Sequence, residues 1–138
     1  MISDIICQVY FDSKSSEKIF ELLNFYLPQY QPLKLDYTSK IDGEFNSNQE
    51  MIDYFVNTNN ISQTFYWNQY INNPEKVMFG VDMTNDNKTI FSLTFDGTIE
   101  QAEIYLIELK QKLDSDIGFI SFINPIEYDN GIDFKNKY

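Results

Sequence analysis

The sequence predicts an α+β fold, a two-layer sandwich with helices on one face of a mostly antiparallel sheet, in the order βαβαβββαβ. Three observations predict it. Short segments with strand-like alternation recur along the chain, amphipathic stripes of helical period separate several of them, and three strand-like runs crowd between 62 and 95 with no helical stripe among them. The 138 residues make one domain by size, able to bury roughly 70% of the surface the unfolded chain exposes. A C-terminal tail begins at about 124.

Residues 4–11 read as a strand, with Ile5, Cys7, Val9 and Phe11 alternating against Asp4, Ile6, Gln8 and Tyr10. Asp12-Ser13 offers N-caps to a helix running to about Leu27, whose stripe is Ile19, Leu22, Leu23, Tyr26 and Leu27, with Pro28 just past its end. Residues 31–37 are expected to be extended, and a loop holding Gly43 follows. Ser47-Asn48-Gln49-Glu50 has the form of a capping box before a short helix carrying Met51, Ile52, Phe55 and Val56.

The three crowded strands fall at about 62–70, 77–84 and 89–95. Val77, Phe79, Val81 and Met83 share one face of the second, and Phe91, Leu93 and Phe95 one face of the third. The opposite faces carry Gly80, Asp82, Ser92 and Thr94, the pattern of a sheet wet on one side. Thr98 and Gln101 then open the strongest helix, 98–113, with Glu100 and Glu103 early and Lys110 and Lys112 late, charges that complement its dipole. A last strand is expected at about 118–123.

Composition bears on function by what it lacks. All ten basic residues are lysines, against 21 carboxylates, and there is no histidine. That removes the imidazole that moves protons near neutral pH and the guanidinium that clamps anions bidentately. A net charge of −11 repels phosphates and anionic headgroups and attracts cationic partners, so neither direct nucleic-acid binding nor membrane binding is expected. The lone Cys7 reads as a buried, inert thiol. Met1-Ile2-Ser3-Asp4 lacks the basic region of a signal peptide, and a cytoplasmic location is expected.

The chemical motifs are weak one by one. Asp82-Met83-Thr84-Asn85-Asp86-Asn87 resembles a calcium loop but lacks the sixth-position glycine and has Leu93 where a bidentate glutamate belongs. Asp129-Asn130-Gly131-Ile132-Asp133 carries an Asn-Gly turn signature and no downstream glutamate. Glu108-Leu109-Lys110 has the E-x-K letters of metal-dependent nucleases but lies on a predicted helix, where i and i+2 diverge. No G-x-S-x-G or glycine-rich phosphate loop exists, adjacent Ser-Lys pairs rarely face one another, and nothing selects two carboxylates for glycoside hydrolysis. The expectation is therefore a non-enzyme with no metal and no cofactor.

What remains suits a protein partner. Phe65-Tyr66-Trp67-Asn68-Gln69-Tyr70 concentrates aromatics, and Tyr66, Trp67 and Tyr70 are expected partner-binding residues, because Tyr and Trp bring large area with few rotatable bonds. If Phe65 and Trp67 face the core, Tyr66 and Tyr70 lie on the other face. Asp82 and Asp86, with Glu127, Tyr128, Asp129 and Asp133 of the tail, supply the acidic and aromatic remainder of that expected surface. Ile104 and Ile107 stand off the core stripe of their helix, either packing under the tail or forming an apolar patch.

In size, charge and texture the whole chain resembles the small acidic immunity proteins that neutralise bacterial polymorphic or contact-dependent toxins. The resemblance implies stoichiometric inhibition of a cognate toxin protein, a basic nuclease being one such target, with carboxylates taking the places of substrate phosphates. The alternatives are a phage-type DNA mimic that inhibits restriction or CRISPR machinery, and a small hydrolase or ligand-binding domain whose charge serves solubility.

Overall fold

The computed structural model describes residues 4–33, 45–69, 76–122 and 126–138. Its elements are β1 (Asp4–Phe11), α1 (Ser16–Tyr26), α2 (Asn48–Asn57), β2 (Gln63–Asn68), β3 (Met78–Met83), β4 (Thr89–Asp96), α3 (Ile99–Leu113), β5 (Gly118–Phe122) and α4 (Gly131–Lys137). The α+β reading holds: the strands form one antiparallel five-stranded sheet ordered β2-β3-β4-β1-β5.

The register explains the core. Trp67, Phe79, Leu93, Cys7 and Ile120 lie in one cross-strand row, and Phe65, Val81, Phe91 and Val9 in the next. Residues directly opposite in antiparallel strands share a face, so these rows form one apolar surface. Ile19, Leu22 and Leu23 of α1, Met51, Ile52 and Phe55 of α2, and Ala102, Leu109 and Leu113 of α3 are buried in the same core. Cys7 is fully buried; its Sγ donates to Ala102 O at 3.4 Å, and burial pushes the thiol up to about 12. It is a packing residue, as the alternation predicts.

Trp67 requires a correction. Expected among the partner-binding residues, it is 1% exposed and packs between Phe65 and Phe79. The parity of β2 decides this, because Phe65 and Trp67 are both drawn to the helix-covered face and Tyr66 is left on the other.

Local signals set the helix ends. The N-cap of α1 is Ser15, whose Oγ accepts from Lys18 N at 3.1 Å, in place of the expected Asp12-Ser13. Ser47 and Thr98 cap α2 and α3 as the sequence predicts, accepting from Glu50 N and Gln101 N. The C-terminus of α2 has no basic residue of its own. Lys14 supplies one, its Nζ donating to Phe55 O at 2.8 Å and Thr58 O at 2.6 Å, while Lys18 Nζ reaches Lys112 O near the end of α3. Gln31–Leu33 form no regular strand; Gln31 N donates to Asn68 O at the β2 edge, and positions 34–37 of that expected strand lie outside the described residues.

The tail holds a helix that the Asn-Gly signature conceals. Asn130 Oδ1 accepts from Asp133 N at 2.8 Å, which makes Asn130 an N-cap and not a hairpin turn. This helix, α4, lies against the sheet face opposite α1, α2 and α3, where Phe134 is buried with Tyr10 and Ile90. Ile104 and Ile107, on α3, are therefore not covered by the tail, and they are 63% and 57% exposed.

Candidate functional site

The face opposite α1–α3 is built from the other parity of each strand. Thr64, Asp82, Ile90 and Tyr10 form one cross-strand row. Tyr66, Gly80, Ser92, Gln8 and Phe119 form the next, and Met78, Thr94, Ile6 and Ser121 a third. The tail covers the Tyr10–Ile90 end through an aromatic chain. Tyr128 meets Phe134 edge-on at 5.2 Å, Phe134 meets Tyr138 at 5.2 Å, and Tyr138 meets Phe119 at 5.1 Å.

Between the tail and the uncovered part of the sheet lies a cleft of about 450 Å³ lined by Gln8, Thr64, Tyr66, Asp82, Ile126, Glu127, Tyr128, Asp129 and Lys137. A smaller hollow of about 200 Å³ continues from it across Ile6, Met78, Ser92 and Thr94 to Asp4, sharing Gln8 and Tyr66. Both hollows open on the same face of the sheet, with Gln8 and Tyr66 between them. In the smaller one the Asp4 carboxyl is raised, chiefly by a hydrogen bond with the Asp96 side chain.

Hydrogen bonds fix the floor. Asp82 accepts from Thr64 Oγ1 at 2.9 Å through one oxygen and from the Tyr128 hydroxyl through the other. Burial, reinforced by the Asp82 charge and that hydrogen bond, pushes the Tyr128 hydroxyl well above its ordinary value, so Tyr128 stays neutral and donating. Gln8, 4% exposed, accepts from Ile126 N at 3.2 Å and pins the start of the tail. Glu127 and Asp129 stand exposed at the rim. The one lining cation, Lys137, is paired with Asp133 at 3.1 Å.

Tyr66 has its place set by a glycine. A Cβ on Gly80 would lie 2.8 Å from Tyr66 Cε1 and 2.2 Å from Ser92 Oγ, so the missing side chain is what lets the Tyr66 ring lie down on the sheet. The ring remains 46% exposed, an amphipathic platform at the junction of the two hollows.

Five expected partner-binding residues thus converge on one cleft: Tyr66, Asp82, Glu127, Tyr128 and Asp129. Asp86 does not. Its carboxylate accepts from Gly131 N at 3.0 Å and Ile132 N at 2.9 Å, joining the β3–β4 hairpin to the start of α4. Burial alone would raise it, but hydrogen bonds from Thr84 and those two amides hold it below the usual carboxylate range. Asp133 caps the Asp129 amide and reaches the cleft through Lys137. Tyr70 lies outside the described residues. Sequence reasoning missed Gln8, Thr64, Ile126 and Lys137; only Gln8 carried a signal, as a polar residue amid a strand buried on both faces.

Among the described residues no group of three His, Cys, Asp or Glu side chains could hold a metal ion, and no helix is long and apolar enough to cross a membrane. Comparison with protein-family models, curated proteins and solved structures gave no match.

Proposed function

We propose that this chain is a protein-binding inhibitor of the immunity type, which neutralises a cognate bacterial toxin in the cytoplasm by stoichiometric association and without turnover. The observation that carries this reading is the convergence of Tyr66, Asp82, Glu127, Tyr128 and Asp129, from two strands and a tail distant in sequence, on one cleft. Its floor is fixed by internal hydrogen bonds, so the rim binds without reorganising. The exposed carboxylates Glu127 and Asp129 offer a cationic side chain two acceptors, and Tyr66 offers it a π face.

The net charge of −11 acts at longer range. It steers a basic partner such as a nuclease toxin into encounter, and the aromatic contacts then slow dissociation. The test is co-expression with a toxin encoded beside this chain, followed by titration of the purified pair. The expected result is restored growth and a saturable one-to-one complex whose association slows as salt rises. A chain that forms no complex and instead turns over a small substrate overturns the reading.

A further inference from the structure

We infer that the β5 edge of the sheet is a self-association surface, through which a second copy of this chain extends the sheet across a two-fold axis at Ile120. The cleft takes no part, so this inference stands apart from the proposed function.

The hydrogen-bond pattern defines the edge. Tyr10 N donates to Ile117 O at 2.9 Å, and the pairing with β1 continues through Gln8↔Phe119 and Ile6↔Ser121. In an antiparallel ladder successive residues turn their N–H and C=O groups to opposite sides. Ile117, Phe119 and Ser121 therefore point towards β1, and Gly118, Ile120 and Phe122 point outward. Among the described residues no strand pairs with that side. β5 (Gly118–Phe122) also carries no charge, in a chain with 21 carboxylates. Natural edges are commonly protected by charge, proline or a bulge, and this one has none of these within the strand.

Its register matches itself. An antiparallel copy centred on Ile120 sets Gly118 opposite Phe122 at both ends, so every outward N–H meets an outward C=O. A slip of one residue would set outward groups against inward ones. Side chains fit the same register. Phe122, 52% exposed, faces the partner's Gly118, which has no side chain, and Phe119, 43% exposed, faces the partner's small Ser121. Such two-fold self-complementarity is what a closed dimer requires.

The flank adds apolar area and charge pairing. α3 packs over β1 and β5, and its Leu106 lies against Gly118. Ile107, one position on, is exposed, with Glu103 four residues before it and Lys110 three after, all on one side of the helix. Two such helices brought together antiparallel set Glu103 of one copy towards Lys110 of the other. Two bodies of net −11 repel elsewhere, so this neutral strip is where they can meet.

The test is sedimentation of the intact chain from about 10 µM to about 1 mM, with amide exchange at both ends of that range. Expected is a concentration-dependent dimer that strengthens with salt, opposite in sign to the toxin complex. Protection should be gained at the Gly118, Ile120 and Phe122 amides, and the dimer should be lost in both Phe122→Asp and Ile107→Glu. Two variants on separate elements guard against a folding defect in either. A monomer at every concentration overturns the inference. So does a dimer that survives both substitutions with these amides still exchanging. Edge amides protected only when a foreign protein is added would assign the edge to that partner and overturn the second copy.

Discussion

The ring of Tyr66 occupies the space that a side chain on Gly80 would fill, with its Cε1 2.8 Å from where that Cβ would stand. Aromatic cover over a strand glycine recovers packing that the glycine forgoes. Gly80→Ala is expected to lift the ring, force Ser92 to another rotamer and cost about 1–3 kcal/mol by overpacking. Chemical denaturation measures the loss. Near-ultraviolet circular dichroism reports the ring, and an unchanged spectrum would show that the glycine is not what seats it.

The joint between the β3–β4 hairpin and α4 rests on Asp86. Two backbone amides and the Thr84 hydroxyl converge on its carboxylate. Gly131 permits the approach, since a Cβ there would lie 2.3 Å from Lys88 Cβ. Asp86→Ala strands those donors and is expected to cost about 1–3 kcal/mol. Exchange at the Gly131 and Ile132 amides should accelerate while the β1–β4 amides hold. Uniform acceleration across the sheet would mean that α4 and the sheet unfold as one unit.

Period-two alternation was enough to read β1, β3 and β4, and caps at Ser47 and Thr98 with a 3.6-residue stripe were enough for α2 and α3. These signals are local, and they hold because at least one face of each element is buried by many neighbours at once. α4 was missed because its seven residues give fewer than two full turns of pattern and begin on an Asn-Gly pair. What marks it is Asp86, 45 residues away, and no local rule sees that distance. The cleft was half legible for the same reason. Parity set Tyr66 and Trp67 on opposite faces but did not say which face is covered, so buried Trp67 was expected at the partner surface beside Tyr66, and the union of Tyr128 with Asp82 depends on where the tail crosses the sheet.

Alkaline pH should weaken the fold from about pH 10 upward. Burial and neighbouring carboxylates raise the hydroxyls of Tyr10, Tyr26 and Tyr128 through Asp12, Glu108 and Asp82 respectively. A group whose folded pKa exceeds its unfolded value of about 10 stabilises fully below that value and loses the contribution as pH rises towards the folded one. Thermal melting from pH 8 to 11 is expected to fall above pH 10. Tyr26→Phe, which keeps the ring and deletes the titration, should flatten that fall. A variant with the full wild-type slope would remove Tyr26 from the linkage.

At the cleft, area and charge should separate kinetically. Tyr66 lines both hollows with a half-exposed ring, so Tyr66→Ala is expected to raise the dissociation rate of the proposed toxin complex about tenfold or more with little change in association. Glu127 and Asp129 are exposed at the rim, where charge acts through the solvent. Reversing both to lysine should slow association about tenfold at low salt, and most of that difference should vanish at ~1 M salt, where the Debye length is about 3 Å. Stopped-flow kinetics across a salt series distinguishes the two. Asp82→Asn is the control inside the same cleft, because Asp82 is held by Thr64 and Tyr128 and its loss should loosen the tail before it alters encounter. Equal, salt-independent slowing by all of these variants would mean that the cleft acts by shape alone and that its carboxylates do not steer.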